Sequence, residues 1–198
     1  MQVKDNLLKS NILKLDRAVP RYTSYPPATI FKSDFPIATH AEWVETLPEK
    51  SNLSLYVHIP FCPKLCHYCG CFTHITARYA PVEDYVHLLR REIASMRRNM
   101  DNKHIVTHLH FGGGSPTMLS DADFKLLMDT FREFFTFSED AEIAVEVDPR
   151  HMTEQLAKTY ALCGVNRISL GVQDFDDKGM DTVGRIHPGD VVYHAVGQ

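Results

Sequence analysis

After Leu53 the chain settles into a repeating pattern that admits few architectures. Runs rich in β-branched and aromatic residues alternate with runs whose apolar residues recur at helical spacing. The strand-like runs are 53–59, 105–111, 141–147 and 167–172. The first helical run, 82–100, has apolar residues at 82, 86, 89, 93, 96 and 100. The second, 120–135, has Ser120 as N-cap with Asp123 in the box-like position, and the third, 153–164, opens on Thr153 and stops at Gly164. A last run, 189–198, reads as the opening turns of another helix capped by Asp190. This order, β-α-β-α-β-α-β-α, calls for a parallel sheet with right-handed crossovers. Ligands of such sheets gather at the C-terminal ends of the strands. Each strand here ends in an unusual group: cysteines, then GGGS, then EVDP, then GVQD. Four such groups converging on one rim mark the expected site.

Residues 1–50 lack strand periodicity and contain "VPRYTSYPPA" at 19–28. Its prolines fix φ and remove donors, so this piece is expected to be extended and to cover other structure. A short helix is expected over 39–46 with Thr39 as its cap. Residues 1–50 are thus read as an extension over the active site, and 51–198 as the front part of a core barrel. A closed eight-unit barrel takes about 250 residues, whereas the chain after Leu53 makes only about four units. The expectation is therefore the front half of a longer protein. Alone, it would expose one side of its last strand, be poorly soluble and have no turnover.

The cysteines narrow the chemistry. Four of the chain's five lie in "YVHIPFCPKLCHYCGC" at 56–71, spaced Cys62-x3-Cys66-x2-Cys69-x-Cys71. The N-terminus has no signal-peptide core, and no stretch approaches the roughly 18 apolar residues of a membrane span. A cytoplasmic location follows as the default, where thiols stay reduced and clustered cysteines serve metals or redox chemistry more often than bridges. Structural zinc usually takes two separated pairs, and no second pair exists; Cys163 stands alone. A local zinc site remains open but is tight at Cys69-x-Cys71. The x3 and x2 spacing suggests a cubane 4Fe-4S cluster on three thiolates. The formal net charge of −4 argues against a nucleic-acid binder.

Cys-x3-Cys-x2-Cys with an aromatic before the third cysteine resembles the signature of radical S-adenosylmethionine (SAM) enzymes. With "PRYTSYP", "GGGSPT", "EVDPR" and "GVQDF" in the same order, the chain resembles the oxygen-independent coproporphyrinogen III oxidase (coproporphyrinogen dehydrogenase) family over nearly all its residues. The resemblance implies an α/β fold: an incomplete TIM-like (βα)6 partial barrel of which this chain supplies about four units. It also implies a 4Fe-4S cluster on Cys62, Cys66 and Cys69, with the fourth iron open to SAM. Reductive cleavage of that SAM yields methionine and a 5′-deoxyadenosyl radical. Tyr56, Gly113 and Glu146 would contact this SAM. Tyr68, Gly114, Ser115, Gln173 and Arg185 match contacts to a second SAM. The family's glycine motif usually ends in Thr where Ser115 stands, and Tyr68 is often Phe. Cys71 belongs to the family pattern without ligating iron.

The implied reaction is decarboxylation of two propionates of coproporphyrinogen III to the vinyl groups of protoporphyrinogen IX, in haem biosynthesis. An electron donor such as flavodoxin or ferredoxin and a monomeric full-length enzyme are implied too. A haem chaperone or a haem-degrading radical SAM relative is the alternative, but those generally lack the fourth cysteine and the PRYTSYP leader. Arg21 could pair with a substrate carboxylate or with a nearby surface acid. His58 shares a strand face with Tyr56 and is a further site candidate. His108 and His110 are read as filling the barrel, the remaining histidines as surface residues, and Cys163 as a buried small hydrophobe. Arg90, Arg91, Arg97 and Arg98 are read as a solvated helix face.

Overall fold

The computed structural model describes residue 14 and residues 27–32, 34–100 and 103–197. Arg21 and most of the proline-rich segment lie outside the described residues. The chain divides into two units, Met1–Thr39 and His40–Gln198. Among the described residues the first holds a 3-10 turn at Ala28–Ile30. Helix α1 spans Ile37–Glu45. Thr39 lies inside its first turn, with its N–H on the Pro36 carbonyl at 3.0 Å, so it is not the expected cap. Proline ahead of the helix presets φ where no donor is needed.

In the second unit, strands β1 (Asn52–Ile59), β4 (Ile105–Gly113), β5 (Thr136–Val147) and β6 (Arg167–Leu170) form one sheet in the order β1-β4-β5-β6. All its pairs are parallel. Helices α2 (Ala80–Arg98), α3 (Asp121–Phe134) and α4 (Glu154–Leu162) are the crossovers. Because spatial order follows chain order, right-handed crossovers place every one on the same face. Such a sheet is a stretch of TIM-like barrel wall, made here of four βα units.

The apolar alternation agrees. Val57, Ile59, Leu109, Phe111, Val145 and Val147 are buried against Val82 and Val86 of α2, Phe124 and Leu127 of α3, and Leu156 and Tyr160 of α4. Tyr56, His58, His110 and Glu146 take the intervening positions and so share the opposite, concave face. Ser120 and Thr153 cap as expected, accepting the N–H groups of Asp123 and Leu156 at 3.1 Å each. Cys163 is buried. Among the described residues no helix is long and apolar enough to cross a membrane.

Several details differ from expectation. Strand β5 starts at Thr136, directly after α3, rather than at 141. Strand β6 stops at Leu170 because the chain turns at Gln173, which has φ 71°. Helix α5 (Asp177–Val183), capped by the Asp176 side chain on the Gly179 N–H, was not foreseen. Neither was the two-stranded parallel pair of β2 (Phe61–Cys62) with β3 (His74–Ile75). Helix α6 (Gly189–Val196) begins after Pro188, leaving Asp190 in its first turn rather than at its cap.

Two histidines read as surface residues are buried: His104 is 6% exposed and His187 1%. The His187 Nε2–H donates to the Val172 carbonyl at 2.6 Å, which fixes the turn after β6. His108 is exposed and bonded to its neighbour Thr107 rather than packed. Arg90 and Arg97 do not face solvent freely. They tie α2 to α3 by donating to Thr130 Oγ1 at 3.0 Å and to the Phe134 carbonyl at 2.7 Å.

At the end of β5 a polar tie joins distant pieces of chain. Asp148, 8% exposed, accepts from Arg150 Nε at 3.0 Å and Nη2 at 2.6 Å. Arg185, beyond α5, reaches the same carboxylate at 3.2 Å. Burial pushes the Asp148 carboxyl up, but the hydrogen bonds and charges of Arg150 and Arg185 outweigh it and hold it below the ordinary carboxylate range.

Two outcomes follow for stability. Phe124 is fully buried, with its ring 5.0 Å from Phe111 and 4.6 Å from Tyr160. Phe124→Ala should cost about 3–5 kcal/mol in urea unfolding. Asp148 has a folded pKa below its unfolded value of about 3.9, so its stabilisation is complete above that value and is lost as pH falls through the folded one. The urea midpoint should therefore drop below about pH 4, and Asp148→Asn, less stable at neutral pH, should show a shallower acid slope.

Candidate functional site

The cysteine loop after β1 and the C-terminal ends of β4, β5 and β6 surround a cavity of about 320 Å³. Cys62, Cys66 and Cys69 line one wall, and Gly113, Gly114, Glu146, Gln173 and Arg185 complete much of the rest. Tyr68, Cys71 and Ser115 also line it. The chain thus brings together nearly every residue singled out in sequence. Tyr56 and His58 sit beside the cavity on the concave strand face rather than in its lining.

The cysteine loop leaves β1 at Pro60 and is held at several points. Phe61 is buried edge-on to Tyr85, ring centroids 5.6 Å apart. The β2–β3 pairing follows, with the Thr76 N–H on the Cys62 carbonyl at 3.0 Å. In mid-loop, the His67 N–H donates to the Val183 carbonyl at 2.9 Å and its Nδ1–H to the Thr182 carbonyl at 3.1 Å. The ring lies so close to Gly184, at φ 67°, that a Cβ there would come within 2.8 Å of it. The end of α5 is therefore moulded to the loop.

At the far end of the loop, His58 Nε2–H donates to the Phe72 carbonyl at 2.8 Å. A carbonyl can only accept, so in the neutral ring Nδ1 carries the lone pair. It takes the Tyr56 hydroxyl at 3.0 Å. His58 is thus the clasp between β1 and the cysteine loop. Burial, then the charges of Glu146 and Cys71, raise the Tyr56 hydroxyl above its usual range.

The glycine run has a local cause. Gly113 has φ 110°, and a Cβ on it would stand 2.8 Å from the His58 ring. The Gly114 N–H donates to the Ile59 carbonyl at 2.9 Å, bringing this backbone against the start of the loop. Ser115 lines the cavity, but it is 5% exposed and its hydroxyl is engaged with Thr117 Oγ1 at 2.7 Å. On β5, Glu146 pairs with His110 Nε2 at 3.2 Å and remains largely open to solvent. After β6, Gln173 holds a left-handed backbone that costs a side chain of order 1 kcal/mol, the kind of strain found at sites.

The thiols make a sulfur donor set on the cavity wall. All are free, with Cys62, Cys66 and Cys69 half-buried and Cys71 exposed. Among the described residues no three His, Cys, Asp or Glu groups are arranged to grip one metal ion. A cubane instead asks each thiolate for a different iron, and so for ligands standing further apart around an open space. Burial, with the charges of the neighbouring Cys69 and Cys66, pushes the Cys62 thiol up, and the nearby Thr73 opposes the rise. The donor set and the cavity fit a sulfur-bound cluster with room for a further ligand.

Sequence reading missed the anchors His67 and Phe72 and the charged floor of Asp148 and Arg150. The Asp-Pro-Arg spacing held the signal for that floor, since Asp148 Oδ1 also takes the Arg150 N–H at 3.1 Å, an Asp side-chain turn.

Comparison with known proteins matches this arrangement. The radical SAM superfamily model covers residues 56–196. The oxygen-independent coproporphyrinogen III oxidase of Bradyrhizobium diazoefficiens is 43% identical over 171 residues, 86% of this chain and 38% of the relative. That of Escherichia coli K12 is 42% identical over 174 residues, 88% of this chain and 38% of the relative. The solved structure of Escherichia coli coproporphyrinogen III oxidase, described as a radical SAM enzyme, superposes with a TM-score of 0.82 at 39% identity. That superposition covers 89% of this chain and 40% of the other. The chain spans about two fifths of the length of these relatives. With the superfamily model spanning most of the chain and the cysteine wall in place, the chain belongs to the radical SAM superfamily.

Proposed function

We propose that this chain provides the cluster- and SAM-binding part of an oxygen-independent coproporphyrinogen III oxidase, which decarboxylates two propionates of coproporphyrinogen III to give protoporphyrinogen IX. One observation carries the reading: three half-buried thiols, a glycine-lined strand end, Glu146, Gln173 and Arg185 share one cavity at the rim of four parallel strands. The names of the similar proteins support the substrate. Residues 51–198 form the front of the core barrel in this reading, and residues 1–50 an N-terminal extension. A reducing compartment such as the cytoplasm suits the free thiols.

When bound, a 4Fe-4S cluster and SAM supply the one-electron chemistry that attacks an unactivated C–H bond. The chain's own residues bind and orient them. Cys62, Cys66 and Cys69 hold iron, and the clasp from His58 to Phe72 keeps the loop in register with β1. The Gly113 backbone and the Glu146 carboxylate receive the cluster-bound SAM, the carboxylate accepting from ribose hydroxyls. Tyr68, Gly114, Gln173 and Arg185 receive a second SAM. Ser115, with its hydroxyl engaged by Thr117, contributes backbone to that site rather than a free side chain. Flavodoxin or ferredoxin is the class of electron donor.

Anaerobic reconstitution with iron and sulfide tests the ligand set. Each of Cys62→Ala, Cys66→Ala and Cys69→Ala should lose most of the bound iron and the visible absorption. Cys71→Ala should keep wild-type iron content. Equal loss in all four variants would refute this assignment. Turnover of coproporphyrinogen III with SAM and reductant, measured on the protein at the length of its relatives, tests the reaction. Tight haem binding without decarboxylation would point to a chaperone instead.

A further inference from the structure

The floor of the cavity carries an unbalanced charge. Arg150 and Arg185 both line the cavity, and both lean on one carboxylate, Asp148. Asp148 is 8% exposed on its side chain, Arg185 13% and Arg150 23%, so water screens the trio poorly. Two guanidiniums share a single negative charge, which leaves a net positive charge. His151 Nδ1 is a more distant neighbour of Asp148, at 3.9 Å. Lys64 and Glu146, the other charged groups lining the cavity, offset one another. Arg150 is the closer of the two guanidiniums to Asp148, engaged through both Nε and Nη2, so its position is fixed. Its charge also couples to the Cys66 and Cys62 thiols across the cavity.

We propose that Arg150 is a charge-setting residue: held by Asp148, it presents a positive charge to the cysteine wall and raises the reduction potential of a cluster bound by Cys62, Cys66 and Cys69. This rests on the cluster reading above. Reduction adds one electron, from a low-potential flavin or iron–sulfur protein, and moves no proton in this step. The reduced cluster is more negative by one unit, so a nearby fixed cation stabilises it over the oxidised form. Net charge around the cluster is one of the main determinants of such potentials. Asp148 has the opposite sign of effect, because it cancels part of the charge it positions. Arg150 therefore makes the reduction that precedes SAM cleavage easier without touching the substrate.

The test is a midpoint potential, which needs no turnover. The anaerobically reconstituted chain is titrated with dithionite at pH 8 and followed by electron paramagnetic resonance, with iron and sulfide content measured alongside. Arg150→Gln should lower the reduced-to-oxidised ratio at fixed potential about tenfold, a midpoint shift of about −59 mV for a one-electron couple. Arg150→Lys, which keeps the charge, should stay within about threefold of wild type. Asp148→Asn should move the midpoint upward; if that variant does not fold, the Gln and Lys pair decides. A loaded Arg150→Gln chain with the wild-type midpoint would overturn the proposal, as would Lys and Gln variants that shift equally or an Asp148→Asn shift downward. A wild-type chain that takes up no iron and sulfide would instead overturn the cluster reading on which it rests.

Discussion

Everything at the rim depends on apolar burial being confined to one side of the sheet. Sequential parallel strands with right-handed crossovers send α2, α3 and α4 to the same face, where Phe111, Phe124, Leu127 and Val145 are fully buried. The alternate positions of the same strands are thereby freed from the core. They can carry Tyr56, His58, His110 and Glu146 without the desolvation penalty that polar groups would meet on the helical side. A doubly wound sheet with these strand sequences would have to bury that polar set under helices. The one-sided arrangement thus makes both the hydrophobic layer and the polar concave wall from a single two-residue periodicity.

A second layer of order is polar and long-range. The cysteine loop contributes little apolar area of its own, apart from Phe61. It is positioned by hydrogen bonds to fixed elements: His58 on β1, the carbonyls at the end of α5, and the β2–β3 pair. Its thiols point into an open cavity, so packing alone could not set their spacing. Hydrogen bonds with defined direction can. Gly184 and Gly113 enter the same scheme, because each leaves room for a histidine ring that a side chain would displace.

The legibility of the sequence followed the range of the interactions. Apolar periodicity and caps are local, and they placed the four main strands, their crossover helices and the caps Ser120 and Thr153. The site was readable because its residues sit in short motifs at strand ends, which the parallel topology then gathers. What escaped depends on partners far along the chain. His67 meets Thr182 across 115 residues, and Arg90 meets Thr130 across 40. His187 looked polar enough for the surface, yet it lies in the core with its Nε2 on a backbone carbonyl. Asp190 resembled a cap because the helix start is set two residues earlier by Pro188, a residue that also excludes helix before it. Ser115 looked available, but Thr117, two residues on, already engages its hydroxyl.

The clasp at His58 has a consequence for Tyr56. In its neutral form the imidazole gives its one ring proton to the Phe72 carbonyl, and its other nitrogen then draws the phenol proton toward itself. What Tyr56 shows to the space beyond is then a pair of lone pairs and no hydrogen. On a half-exposed ring stacked 5.9 Å from His110, that oxygen greets only groups able to give a hydrogen bond, above all a cationic amine. A carboxylate arriving at the same place would be turned away. A tether that shapes a loop thereby also fixes the polarity of the doorway beside it.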